Sequence, residues 1–113
     1  MSDINRITKQ LLAFRDERDW AQFHDSKNLA LALSIEAAEL NELFLWKSSA
    51  DDINSIDKDR LSEELADVFA YALLLAEKNG LDVAKIVENK HRLENIYPVF
   101  SNYFEHTRWR YMK

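Results

Sequence analysis

A chain of 113 residues with one glycine, Gly80, and one proline, Pro98, has little means of reversing its direction sharply. Hairpins and sandwiches call at short intervals for residues that reach positive φ or hold φ near −65°. Long helices joined by few connections do not. The expectation is an all-α fold. The length suits one domain, with roughly two thirds of the unfolded surface buried on folding. Apolar residues make up 47% and charged residues 31% of the chain, a globular balance rather than a disordered one.

Four helical segments follow from periodicity and end signals. The first spans about residues 3–18, with Ile4, Ile7, Leu11, Leu12 and Phe14 on a helix-period stripe. A polar stretch, residues 19–27, carries Trp20, Phe23 and His24. The second helix is expected over residues 26–46 and is apolar on nearly every side, the pattern of a helix buried on most faces. Residues 47–57 read as a loop. A third helix starts at Asp57 or Lys58 and runs to Asn79, closed by Gly80 in the C′ position. Asp82 then caps a fourth helix ending near Asn95, ahead of Pro98. Residues 1–98 thus read as the helical domain and residues 99–113 as an aromatic and basic tail. The two central helices, about 30 Å long, carry more apolar surface than the outer two can cover. An antiparallel helical bundle completed by homo-oligomerisation would bury it.

The chain contains no cysteine, which excludes disulfides, thiolate metal sites and a cysteine nucleophile. Its N-terminal ten residues carry no apolar run of the signal type, so a cytoplasmic location is expected. The longest strongly apolar stretch, residues 68–76, is too short to span a bilayer, and no membrane role is expected. A net charge of −5 argues against a nucleic-acid polymer as ligand. A nucleoside triphosphate remains open to an acidic protein if a divalent cation bridges the two. Phosphate-cradling loops of the G-x-x-x-x-G-K or G-x-G-x-x-G type are impossible with a single glycine.

Four carboxylates stand out. Glu36 and Glu39 on the second helix, and Glu64 and Asp67 on the third, are each spaced i, i+3 and project from one helix face. Between Leu29 and Leu40 they are the only charges, and between Leu65 and Ala76 Asp67 is the only one. No lysine or arginine lies between Leu29 and Leu45 or between Leu61 and Glu77. A carboxylate in apolar surroundings must be paired, protonated or bound to metal. A solvated stripe is the ordinary meaning of one E-x-x-E, but two such pairs without compensating bases favour an all-oxygen cage for Mg²⁺, with Mn²⁺ as a substitute. Metal-assisted attack of water on a phosphoryl group is the chemistry such a cage serves. A di-iron site would want histidine at the positions of Glu39 and Asp67, and is disfavoured.

The runs ERDWAQFH, NLALALSIEAAELNELFLWK and RLSEELADVFAYALLLAEKNGLDV resemble MazG-type nucleotide pyrophosphohydrolases. Within the all-α NTP pyrophosphohydrolase superfamily they look most like the dCTP-pyrophosphatase branch. Its motif, E-x-x-E then E-x-x-D, is met by Glu36, Glu39, Glu64 and Asp67, with 24 residues between Glu39 and Glu64. The resemblance covers roughly residues 5–98.

It implies a homodimer or homotetramer of antiparallel helices, Mg²⁺ on the four carboxylates, and hydrolysis of a nucleoside triphosphate between the α- and β-phosphates. Glu39 or the neighbouring Glu63 would assist deprotonation of the attacking water. Trp20, His24, Trp46 and Tyr71 would hold the base, and Lys90 would contact phosphate. Lys27 and Asn28, at the start of the second helix, either reach phosphate or cap. Glu94 stands where the family carries asparagine, leaving Asn95 as the candidate for that role. The favoured substrate is dCTP or a modified pyrimidine triphosphate, with nucleotide-pool house-cleaning as the role. The alternatives are the same chemistry on dUTP, purine or other non-canonical nucleotides, or an inactive helical interaction module.

Overall fold

In the computed structural model, residues 2–47 and 56–96 are described, the last four without their side chains. The elements are α1 (Asp3–Glu17), a single 3-10 turn (Ala21–Phe23), α2 (Ser26–Glu42), α3 (Lys58–Lys78) and α4 (Val83–Ile96). All described elements are helical, as the scarcity of turn residues predicts. The residues beyond Ile96, including the aromatic tail, and most of the expected loop lie outside the described residues.

Capping side chains set where each helix begins. Ser2 accepts from the Asn5 amide at 3.2 Å, Asp25 from Asn28 at 2.7 Å, and Asp57 from Asp59 at 3.0 Å. Each satisfies amides that the first helical turn leaves without a carbonyl.

Two helices end in the same motif with different residues. At the end of α3, Gly80 adopts φ +66°. The Leu81 amide donates to the Ala76 carbonyl at 2.9 Å and the Gly80 amide to Glu77 at 3.0 Å. This is a Schellman closure. At the end of α1, Asp19 takes the left-handed position at φ 56°. Its amide donates to Asp16 at 3.1 Å, and the Trp20 amide to Arg15 at 3.0 Å. The closure folds Trp20 back onto α1, where its ring meets Phe14 edge-on at 5.7 Å.

The chain divides into two compact units, Met1–Leu81 and Asp82–Lys113. In the first, α2 and α3 form the main pair and α1 packs on α3. Asn79 at the end of α3 donates from Nδ2 to Ser26 Oγ at the start of α2, at 3.1 Å. Further along, Glu36 approaches Glu64 and Asp67. The two cross-links run in opposite chain order, so α2 and α3 are antiparallel. Leu29 on α2 and Leu74 and Ala76 on α3 are the buried apolar residues among those described. In the second unit, Asp82 caps α4 by accepting from the Lys85 amide at 3.0 Å.

The structure corrects one expectation. α2 ends at Glu42, four residues before Trp46. Beyond Leu40 the amides of Leu43, Phe44, Leu45 and Lys47 each reach back three residues instead of four, and Trp46 sits at φ 66°. Apolar periodicity cannot register this change from α-helical to tighter turns. A single chain leaves part of the apolar surface of the two central helices open: Leu31 is 57% exposed and Ile35 50% exposed, and on α3 Phe69 is 62% exposed.

Candidate active site

Because α2 and α3 are antiparallel, their i, i+3 acidic pairs meet. Carboxylate oxygens of Glu36, Glu64 and Asp67 all lie within 4.8 Å of one another. Glu39 adjoins the group, and its charge acts on both Glu36 and Glu64. Burial and the neighbouring negative charges push the Glu36 carboxyl from 4.5 up to about 7. Burial and the charges of Glu39 and Asp67 raise Glu64 as well, against a small lowering by Arg60.

One cation does approach. Arg60 Nη2 stands 3.9 Å from Glu64 Oε1, from one turn earlier on α3 and just outside the stretch that the sequence leaves without bases. At that separation, with Arg60 62% exposed, it screens little. Glu36 Oε2 and Glu64 Oε2 are buried without any hydrogen-bond partner. Buried acceptors converging without donors are what a hard divalent cation satisfies, and an all-oxygen set suits Mg²⁺ or Mn²⁺. The residues fit the expected metal.

Asp67 also opens onto a cleft of about 580 Å³ between α1 and α3. From Asp67, the α3 wall continues through Ala70, Tyr71 and Leu74, one helix face over two turns. Trp20 and His24 line the cleft as well. The His24 ring meets Tyr71 edge-on at 6.5 Å, and its Nδ1 is buried without a partner. Burial and then the charge of Arg15 hold the imidazole below its ordinary 6.5, so it is neutral at pH 7. The opposite wall is α1, through Ile7, Leu11, Phe14, Gln10 and Arg15. The first three are members of the predicted apolar stripe. Gln10 and Arg15 flank that stripe and carry no motif signal; only the packing of α1 on α3 makes them wall residues.

The structure therefore brings together Trp20, His24, Asp67 and Tyr71 of the predicted set. Asn28 serves the chain itself: its amide is capped by Asp25, and its Nδ2 donates to the Phe23 carbonyl at 3.1 Å. Lys27 is exposed in the first turn of α2, and Glu63 and Glu42 are exposed too. Trp46 is wholly exposed beyond the end of α2 and does not line the cleft. Lys90 lies on α4, in the second unit; Asn95 falls in the last turn of α4, its side chain outside the described ones.

The chain is similar to known proteins over most of its length. The chain is 40% identical over 94 residues to dCTP pyrophosphatase 1 of Rattus norvegicus and 38% identical over 94 residues to that of Homo sapiens. Each match covers 80% of this chain and 54% of the relative, so the chain spans about half the length of the curated relatives it matches. In structure it is similar to a pyrophosphatase from Archaeoglobus fulgidus, with a TM-score of 0.79 and 35% identity, covering 87% of this chain and 94% of the other. The model of the MazG-like family matches residues 31–107, a stretch containing all four carboxylates of the motif. On that match, the chain belongs to the MazG-like family.

Proposed function

We propose that this protein hydrolyses a nucleoside triphosphate, with dCTP or a modified pyrimidine favoured, to the monophosphate and pyrophosphate. The observation that carries this reading is the junction at Asp67. Asp67, itself exposed, belongs both to the cluster in which Glu36 and Glu64 each bury an unpartnered oxygen and to an open cleft lined by aromatics. The named activity of the relatives supports it.

Glu36, Glu64 and Asp67 would hold a divalent cation, with Glu39 beside them. When bound, Mg²⁺ supplies Lewis-acid stabilisation of the charge on the phosphoryl oxygens and lowers the pKa of water. Glu39, exposed beside the cluster, would take the proton from the attacking water; Glu63 is the other candidate. Water adds to the α-phosphorus, the α–β anhydride bond breaks, and pyrophosphate carries away the electron pair. Trp20 and Tyr71 offer ring faces and edges to the base, neutral His24 offers a hydrogen bond, and the apolar wall of α1 excludes water. Lys27 is a phosphate contact on this reading. The exposed Leu31, Ile35 and Phe69 support a homodimer or homotetramer that covers them, and nucleotide-pool house-cleaning is the role.

The test is pyrophosphate release from a panel of canonical and modified NTPs and dNTPs, with Mg²⁺ and with EDTA. Metal-dependent pyrophosphate is expected, with dCTP-like substrates ranked first. Release of single phosphates would overturn the bond assignment. No release from folded protein would leave an interaction module in its place.

A further inference from the structure

Arg15 is the only lysine or arginine lining the cleft among the described residues, and Asp16 occupies one edge of its guanidinium. Nε and Nη2 stand 2.9 and 2.8 Å from Asp16 Oδ1. The side chain is held to 20% exposure. What Arg15 has left to offer is the end-on pair, Nη1–H and the second Nη2–H, which have no partner among the described residues. These are two parallel donors about as far apart as two acceptors on adjacent ring positions.

Asp16 compensates the charge of the guanidinium, and the acidic cluster at Asp67 marks the phosphate end of the cleft on the reading above. Arg15 is therefore better suited to a neutral pair of acceptors than to phosphate. Pyrimidines differ in offering such a pair. Cytosine presents O2 and N3 side by side as acceptors; in uracil and thymine N3 carries a hydrogen and would set donor against donor. A donor left unpaired in an apolar cleft is penalised more heavily than a lost contact, which is how a polar site rejects a close analogue.

We propose that Arg15 selects cytosine nucleotides by donating its end-on N–H pair to O2 and N3 of the base. The proposal rests on the cleft being the nucleoside site. The experiment compares kcat/KM for dCTP and dUTP, with Mg²⁺, in the wild type, R15M and R15K. The dCTP-to-dUTP preference is expected to fall by about 10- to 100-fold in R15M, mostly through KM. R15K, which keeps the charge but loses the fork, should lose most of that preference too. An equal loss on both substrates would mark a phosphate contact and overturn the proposal, as would an unchanged ratio or a wild type without cytosine preference. Equilibrium binding of dCMP and dUMP in EDTA asks the same question without turnover. Selective dCMP binding that R15K weakens upholds Arg15 even if the catalytic reading fails. A wild type that binds neither overturns both.

Discussion

Glu36 on α2 and Asp67 on α3 bring carboxylate oxygens within 4.8 Å of each other, and an oxygen of Glu64 lies within the same limit of both. Like charges this near, partly out of water, oppose folding unless a proton or a cation intervenes. Replacing Glu36 by glutamine removes one of these charges while keeping the shape. Metal-dependent turnover should fall by at least about 100-fold, a loss of roughly 2.7 kcal/mol in transition-state stabilisation. The metal-free protein should gain on the order of 1 kcal/mol in stability, read as a rise in Tm in EDTA. A variant with normal turnover would refute the metal-site assignment.

The same cluster sets a pH dependence. The Glu36 carboxyl titrates at about 7 in the fold against 4.5 ordinarily, so between those values the native state holds a proton that the unfolded chain has lost. Stability of the metal-free protein should therefore fall as pH rises through this window, with Glu64 acting in the same direction. Metal binding runs the other way: the cation must displace the proton, so Mg²⁺ affinity should rise with pH until about 7 and then level off. Urea midpoints in EDTA and calorimetric titrations with Mg²⁺, each at pH 5.5 and 8, measure both slopes. A metal-free midpoint that rises with pH would contradict the assignment.

His24 carries the opposite shift. Its lowered pKa means that the unfolded chain takes up the proton first, so His24 should destabilise the fold as pH drops below 6.5. An NMR titration of the ring should find its midpoint under 6.5. With one side of the ring against Tyr71, His24→Ala should raise KM for the preferred nucleotide by about 10-fold, the scale of one lost hydrogen bond near 1.4 kcal/mol.

At the C′ positions of α1 and α3, substitutions should act in opposite directions. Gly80→Ala meets no atom within 4 Å, yet its φ of +66° imposes a backbone cost of about 1 kcal/mol. Asp19→Gly, at φ 56°, should gain about 0.5 kcal/mol by relieving the same conformation. Urea unfolding of the two variants decides it; two changes of the same sign would remove the argument from φ.

Ile35 tests the covered face. It is 50% exposed in one chain and sits one turn from Leu31 on α2. Ile35→Glu should shift sedimentation toward the monomer and lower Tm by several degrees. In a protein that is already monomeric the substitution would change neither mass nor stability appreciably.

How much of this was legible beforehand depends on the range of the interaction. Helix starts follow from the side chain of one residue and the amide two or three positions on, so Ser26 and Lys58 as first residues, and Asp82 as a cap, could be read directly. The acidic spacing on α2 and α3 was equally local. The end of α2 was not, because a change from four-residue to three-residue hydrogen bonds leaves the apolar pattern intact. The end of α1 was read to within a residue, but not its closure, in which aspartate rather than glycine takes the left-handed position and turns Trp20 back over Phe14.

The chain's sequence by itself determined an all-helical architecture, the capped helix starts and four carboxylates in apolar surroundings, since each depends on neighbours within about one turn. Only the tertiary structure decided that Glu36, Glu64 and Asp67 converge, and that Phe14, Arg15 and Gln10 of α1 become a wall facing Tyr71. Those relationships depend on how antiparallel helices pair and at what register, and that is set by packing between residues far apart in the chain.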